Sequence, residues 1–154
     1  MNEFDKLNLS VNKKQGNLGV ARAIYEYTKM GYTVLVPLSD SDKYDLVIDD
    51  GVMLKRVQVK TSRCKAKSYK SYTKTGYQVN LSTKGGNSTI NTIRCREKSD
   101  YDILFVLLET GDCWSIPTEA LGEAKHSIIV GATGPNAKYT EYKICKGYAL
   151  TLES

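Results

Sequence analysis

One histidine, His126, is all the imidazole this 154-residue chain contains, and its four cysteines, Cys64, Cys95, Cys113 and Cys145, stand singly with no C-x-x-C among them. A zinc centre therefore has no ligand spacing to rest on. With no secretion signal to argue for an oxidising compartment, the cysteines read as free or buried thiols without a function. Apolar runs of membrane-spanning length are missing too, and the opening Met1-Asn2-Glu3-Phe4-Asp5-Lys6 does not read as a signal peptide. A cytoplasmic protein with no membrane partner is expected. Acidic residues are missing from one long segment. Between Gly51 and Arg96 there is no Asp or Glu, while Lys55, Arg56, Lys60, Arg63, Lys65, Lys67, Lys70, Lys74, Lys84, Arg94 and Arg96 supply eleven positive charges. The rest of the chain sets eleven basic against seventeen acidic residues, so the net charge of +5 conceals an asymmetry. That distribution suits a polyanion, and nucleic acid is the expected one.

What is present has ordinary soluble proportions, 41% hydrophobic and 25% charged residues. A single domain over 1–154 is expected, long enough to bury a real core. Residues 1–12 read as a polar arm. From Lys13 to Met30, Leu18, Ala21, Ile24, Tyr25, Tyr27 and Thr28 recur at spacings that favour one face of a helix, which Gly31 ends. Tyr32 to Val36 reads as a strand closed by Pro37, and Leu38 to Lys43 as a connector in which Asp40 and Asp42 serve as turn and capping groups.

The next stretch organises the rest. Residues 44–48 and 54–61 both alternate and are rich in Val, Ile, Leu and Tyr, and Asp49-Asp50-Gly51 between them supplies turn chemistry. A hairpin follows. Successive strand side chains leave on opposite faces, so a connection of two or four residues gathers Asp45, Gln58 and Lys60 on one surface, whereas three residues would scatter them. Downstream, residues 61–76 interleave cations with tyrosines. Arg63, Lys65, Lys67, Tyr69, Lys70, Tyr72 and Lys74 are the candidate DNA contacts, joined by Lys84 and Asn87 from a Gly-Gly turn or loop after the strand Tyr77–Ser82. Asp102–Leu108 is the most apolar run and is expected to be a central strand buried on both faces. Cys113–Ile116 should be another strand, Pro117–Leu121 a short helix, and Ile128–Val130 and Tyr139–Ile144 edge strands.

Phosphodiester hydrolysis needs the phosphate's charge shielded, a water activated and the leaving oxygen supported, all of which a divalent cation can supply. Asp45 offers it a charged oxygen, Gln58 an amide oxygen and Val59 a nearby carbonyl, a donor set that favours Mg²⁺ (or Mn²⁺). Lys60 would stabilise the phosphoryl charge or help orient and deprotonate the water.

In this form, Tyr44-Asp45, twelve intervening residues and Gln58-Val59-Lys60, the sequence resembles the PD-(D/E)XK nucleases, in the variant where glutamine replaces the middle acidic residue. More narrowly, Gly31-Tyr32, Pro37-Leu38, Tyr44 to Gly51 and Arg56 to Thr61 resemble the group I intron-associated homing endonucleases of that superfamily, over about residues 13–118. The resemblance implies an α/β (α+β) restriction-endonuclease-like core, with a mixed β-sheet, a central hairpin and flanking helices. It also implies a metal-dependent endonuclease with Asp45, Gln58 and Lys60 catalytic, Asp45 and Gln58 on the metal, double-stranded DNA as partner, and a homodimer or homotetramer. Two positions depart from the pattern. Tyr44 replaces the proline, and Gly16-Asn17-Leu18-Gly19 is followed by Val20 where the family commonly has a metal-binding glutamate. Asp45 is then the only charged ligand, and Glu26, about 9 Å along the helix and roughly 240° round it from Val20, is poorly placed to replace it; Asp42 is a second candidate. Two other functions stand beside the nuclease: a catalytically impaired DNA-binding protein of the same fold, and a protein-interaction module using the tyrosine-rich surface.

Overall fold

A computed structural model describes residues 12–39, 43–67, 75–85, 92–135 and 137–145. Helix α1 (Asn12–Lys29) buries Gly19, Ala23, Glu26 and Tyr27, the spacing of one helical face. It stops where Gly31 adopts φ 92°, and the Tyr32 amide reaches back to the Tyr27 carbonyl at 3.0 Å. That closing bond satisfies a carbonyl the helix leaves orphaned. Strands β1 (Thr33–Leu35), β2 (Leu46–Asp49), β3 (Leu54–Ser62), β4 (Tyr77–Asn80), β5 (Thr83–Gly85), β6 (Thr92–Arg94), β7 (Ile103–Leu108) and β8 (Cys113–Pro117) follow. Then come α2 (Thr118–Leu121), β9 (Ser127–Val130), a 3₁₀ turn at Thr140–Tyr142 and β10 (Lys143–Cys145).

Six strands form the main sheet in the order β1-β2-β3-β7-β8-β10. All neighbours are antiparallel except β3 and β7, which run parallel from Val57 beside Ile103 to Ser62 beside Leu108. The expectation for the apolar run holds: Leu104 to Leu108 are all buried, in a strand flanked on both sides. On one face α1 covers Leu46, Ile48, Val57, Val59, Phe105 and Leu107. The other face carries Leu104, Val106, Leu108, Trp114 and Ile116 against Val79, Leu81, Ile128 and Val130. Each such side chain, fully buried, stabilises the fold by about 1.5–3 kcal/mol.

That second layer differs from the expected helices. It is a two-stranded sheet, β4 paired with β9, with the one-turn helix α2 beside it. Ile128–Val130 is thus an edge strand of the small sheet. Tyr139 to Ile144 is mostly not a strand, because Thr140–Tyr142 turns before β10 joins β8. Lys84 and Gly85 lie in β5, paired with β6, and not in a loop. Among the described residues no helix is long and apolar enough to cross a membrane.

Candidate active site

The β2–β3 connection has four residues, Asp50 to Met53, since Asp49 pairs with Leu54. Gly51 takes φ 87°, and the Asp50 carboxylate accepts the Val52 and Met53 amides at 2.9 and 2.8 Å. An even count preserves parity. Leu46 opposes Val57 with both under α1, so Asp45, one residue earlier, shares the other face with Gln58 and Lys60. The structure brings these three together.

Asp45 lies just before β2 and is half-buried, while Gln58 is buried. Asp45 Oδ2 accepts two hydrogen bonds, from the Val59 amide at 2.7 Å and from Gln58 Nε2 at 2.5 Å. Gln58 Nε2 also donates to the Val59 carbonyl at 3.2 Å. Two oxygens of the proposed ligand set therefore converge on one point, now held by a side-chain amide. A cation at that point would displace the amide nitrogen, and the Gln58 oxygen, turned toward it, would join Asp45 Oδ2 and the Val59 carbonyl in an all-oxygen donor set of the kind hard divalent cations take. Asp45 Oδ1 remains as a further donor. The residues present fit a divalent metal ion.

Electrostatics follow from depth. Burial raises the Asp45 carboxyl above its ordinary range, against the Val59 amide and the Lys60 charge, which pull it down. Burial likewise lowers the Lys60 ammonium, opposed by Asp45. Each charge favours the ionised form of its neighbour.

Val20 is half-buried against the apolar cluster beneath α1, so the position that would carry the family's glutamate packs on apolar side chains. Glu26 does not replace it. It accepts from Arg22 Nε at 2.9 Å and faces Cys113 and Cys145, under the opposite face of the sheet from Gln58 and Lys60. Asp42 lies outside the described residues. Gln15, which the sequence did not single out, donates from Nε2 to Thr61 Oγ1 at 2.9 Å and ties the first turn of α1 to the residue after Lys60. Its only sequence signal was its place one helical turn before Gly19.

The basic segment is narrower than its charge count. Arg56 is held by Asp102 at 3.2 Å and Arg94 by Asp100 at 3.0 Å. Arg96 is buried, donating to the Gly122, Ala124 and Thr118 carbonyls around α2. Arg63 lies near Glu109 at 3.9 Å. Lys65 and Lys67 are exposed on an extended arm that pairs back on Gly76–Gln78 through Ala66 and Cys64. Tyr69, Lys70, Tyr72, Lys74 and Asn87 lie outside the described residues, as does the side chain of Lys84.

Against known proteins, residues 11–150 match the family model described as PD-(D/E)XK endonuclease. No curated protein matches the sequence. Among solved structures the chain is similar to that of a bacterial homing endonuclease, I-Ssp6803I, with TM-score 0.69 and 26% identity over 87% of this chain and 89% of that one.

Proposed function

The chain belongs to the PD-(D/E)XK endonuclease family, and on that premise we propose that it cuts double-stranded DNA, in the manner of a homing endonuclease, at a Mg²⁺ (or Mn²⁺) site built from Asp45, Gln58 and the Val59 carbonyl, with Lys60 as its working cation. The observation that carries this reading is the convergence of Asp45 Oδ2 and the Val59 carbonyl on the Gln58 amide. We read 1–154 as one nuclease domain.

When bound, the metal ion supplies charge neutralisation for the phosphate and a nucleophilic water at neutral pH. The protein's own residues do the rest. The Val59 amide fixes the rotamer of Asp45, so its free oxygen points one way before the substrate arrives. Lys60, its proton loosened by burial, donates to the phosphoryl oxygens as charge develops and, in its neutral form, takes a proton from the attacking water. Desolvation strengthens both effects.

The test is plasmid cleavage by the full chain. Cutting is expected with Mg²⁺ or Mn²⁺ and is expected to stop on chelation. Activity should fall as pH decreases and protons compete with the metal for Asp45, and raising the metal concentration should move that fall to lower pH. Cleavage that persists in chelator overturns the metal site. Each chain carries one such site and duplex DNA has two strands, so we infer a homodimer or homotetramer. Exposed Leu35 in β1, Val36 and Leu38 just after it, and Met53 and Leu54 where β3 begins support an association surface. Linear product without accumulated nicked circles in the same assay is the result this requires.

The exposed arm is the DNA-facing element. Replacing Lys65 and Lys67 together by alanine should weaken DNA binding at every sequence and lower the slope of log affinity against log salt by about 2, since each phosphate contact contributes roughly 0.9. An unchanged slope in a titration of fluorescent duplex removes these lysines from the interface.

A further inference from the structure

Under the opposite face of the sheet two cysteines meet. Cys113 opens β8, Cys145 closes β10, and the two are register partners just past an irregularity that shifts the pairing after Lys143. Partners across an antiparallel pair project to the same side, the arrangement a cross-strand disulfide needs. Their sulfurs and a Glu26 carboxylate oxygen lie within 4.8 Å of one another, and both sulfurs sit 3.6 Å from the Gly111 carbonyl.

The two thiols are not equivalent. Cys113 is wholly buried. Cys145 is half-buried, and Arg22 Nη2 stands 3.3 Å from its sulfur while Arg22 Nε holds Glu26. Among the described residues, the charged and titratable groups facing the pair are Arg22, Glu26 and Tyr27 from α1, with the Asp112–Lys143 ion pair at the adjoining positions. Hydrogen bonding from the Cys113 thiol, helped by the Arg22 charge, holds Cys145 below the ordinary thiol range, and the same contact pushes Cys113 up. One thiolate beside one protonated thiol is the arrangement that thiol oxidation chemistry exploits. Three donors could also grip a soft metal ion, but a guanidinium already occupies the cation's place.

We propose that Cys145 and Cys113 form a peroxide-responsive dithiol, with Cys145 as the attacking thiolate and Cys113 as the resolving thiol. Cys145 sulfur attacks hydrogen peroxide, the O–O bond breaks, and a sulfenic acid and hydroxide result. The Cys113 sulfur then displaces the sulfenic oxygen, its proton leaves with that oxygen as water, and the S–S bond forms. The hydroxide takes up the proton that the Cys145 thiol lost on ionising, so that two thiols are oxidised, one peroxide is reduced, and two waters are released. The product staples the edge strand β10 to β8.

The experiment uses the full chain carrying Cys64→Ser and Cys95→Ser, treated with one equivalent of hydrogen peroxide. The expected result is loss of both remaining thiols, a mass lower by two hydrogens, and a Cys113–Cys145 peptide on non-reducing digestion, all reversed by dithiothreitol. In untreated protein, alkylation of Cys145 should reach half its maximal rate at a lower pH than an ordinary thiol. Arg22→Gln should move that midpoint upward and Arg22→Lys restore it, with circular dichroism confirming the fold of both. Accumulation of Cys145 sulfinate beside an intact Cys113 thiol overturns the proposal. So does a stoichiometric zinc ion that co-purifies and shields both cysteines, which would make the cluster a metal centre.

Discussion

Lys60→Ala is expected to cut plasmid cleavage by about 10²–10³-fold, the cost of removing a group aimed at developing charge, while the gel shift with duplex DNA is unchanged. The fold should survive it. Burial places the folded titration of Lys60 below its unfolded value, so the unfolded chain binds that proton more tightly and the charged form is penalised below the folded value. Lys60→Met, which keeps the bulk and removes the charge, should therefore melt no lower than wild type near neutral pH. Activity lost without stability lost marks a residue kept for chemistry. Both variants also take from Asp45 the cation that helps ionise it, so any residual cleavage should need higher pH. Should wild type and Lys60→Ala prove equally inert while both still shift DNA, the chain is a catalytically impaired DNA-binding protein, and the loss of acidity at Val20 supplies the reason.

The second large effect concerns the two glycines of α1. A Cβ at Gly19 would stand 2.5 Å from Thr61 Cγ2 and 3.1 Å from Val59 Cγ1. Thr61 cannot swing aside without giving up the bond from Gln15. Gly19→Ala should cost about 1–3 kcal/mol through overpacking, more than the gain in helix propensity, and lower the melting temperature by several degrees. Cleavage should fall with it, since Val59 and Thr61 flank Lys60 on the strand. At Gly16 a Cβ meets nothing within 4 Å. Gly16→Ala should stabilise the protein by about 0.5–1 kcal/mol and leave activity alone. If both alanines melt alike, the close approach of helix to strand is not what Gly19 provides.

The juxtaposition of the candidate site residues was legible because its geometry is local. Asp45, Gln58 and Lys60 sit on two strands joined by four residues, so alternation and the parity of the turn suffice to put them on one face. The central place of β7 was legible from its unbroken apolar run. What was hidden depends on distant partners. β4 and β9 pair across about fifty residues, and two four-residue strands carry no signal of each other. Cys113 and Cys145 read as unrelated thiols because only the β8–β10 register brings them face to face. The charge asymmetry misled in part: Arg56, Arg94 and Arg96 lie in an acid-free segment yet bond to carboxylates and carbonyls the fold carries in from later in the chain. A linear charge count cannot see those partners.

The parallel seam between β3 and β7 has a bearing on the order of folding. The β2–β3 hairpin is local and can form as soon as its residues are free to fold, but β3 has nothing on its other side until Ile103–Leu108 arrive. Closing that seam fixes a loop of some forty residues, an entropic cost met only when the apolar strand docks. A nascent chain halted before β7 would hold Asp45, Gln58 and Lys60 in sequence but not on a platform. The nuclease would then gain its cutting geometry late in synthesis, in one cooperative step, after the cationic arm of residues 63–67 had already been made.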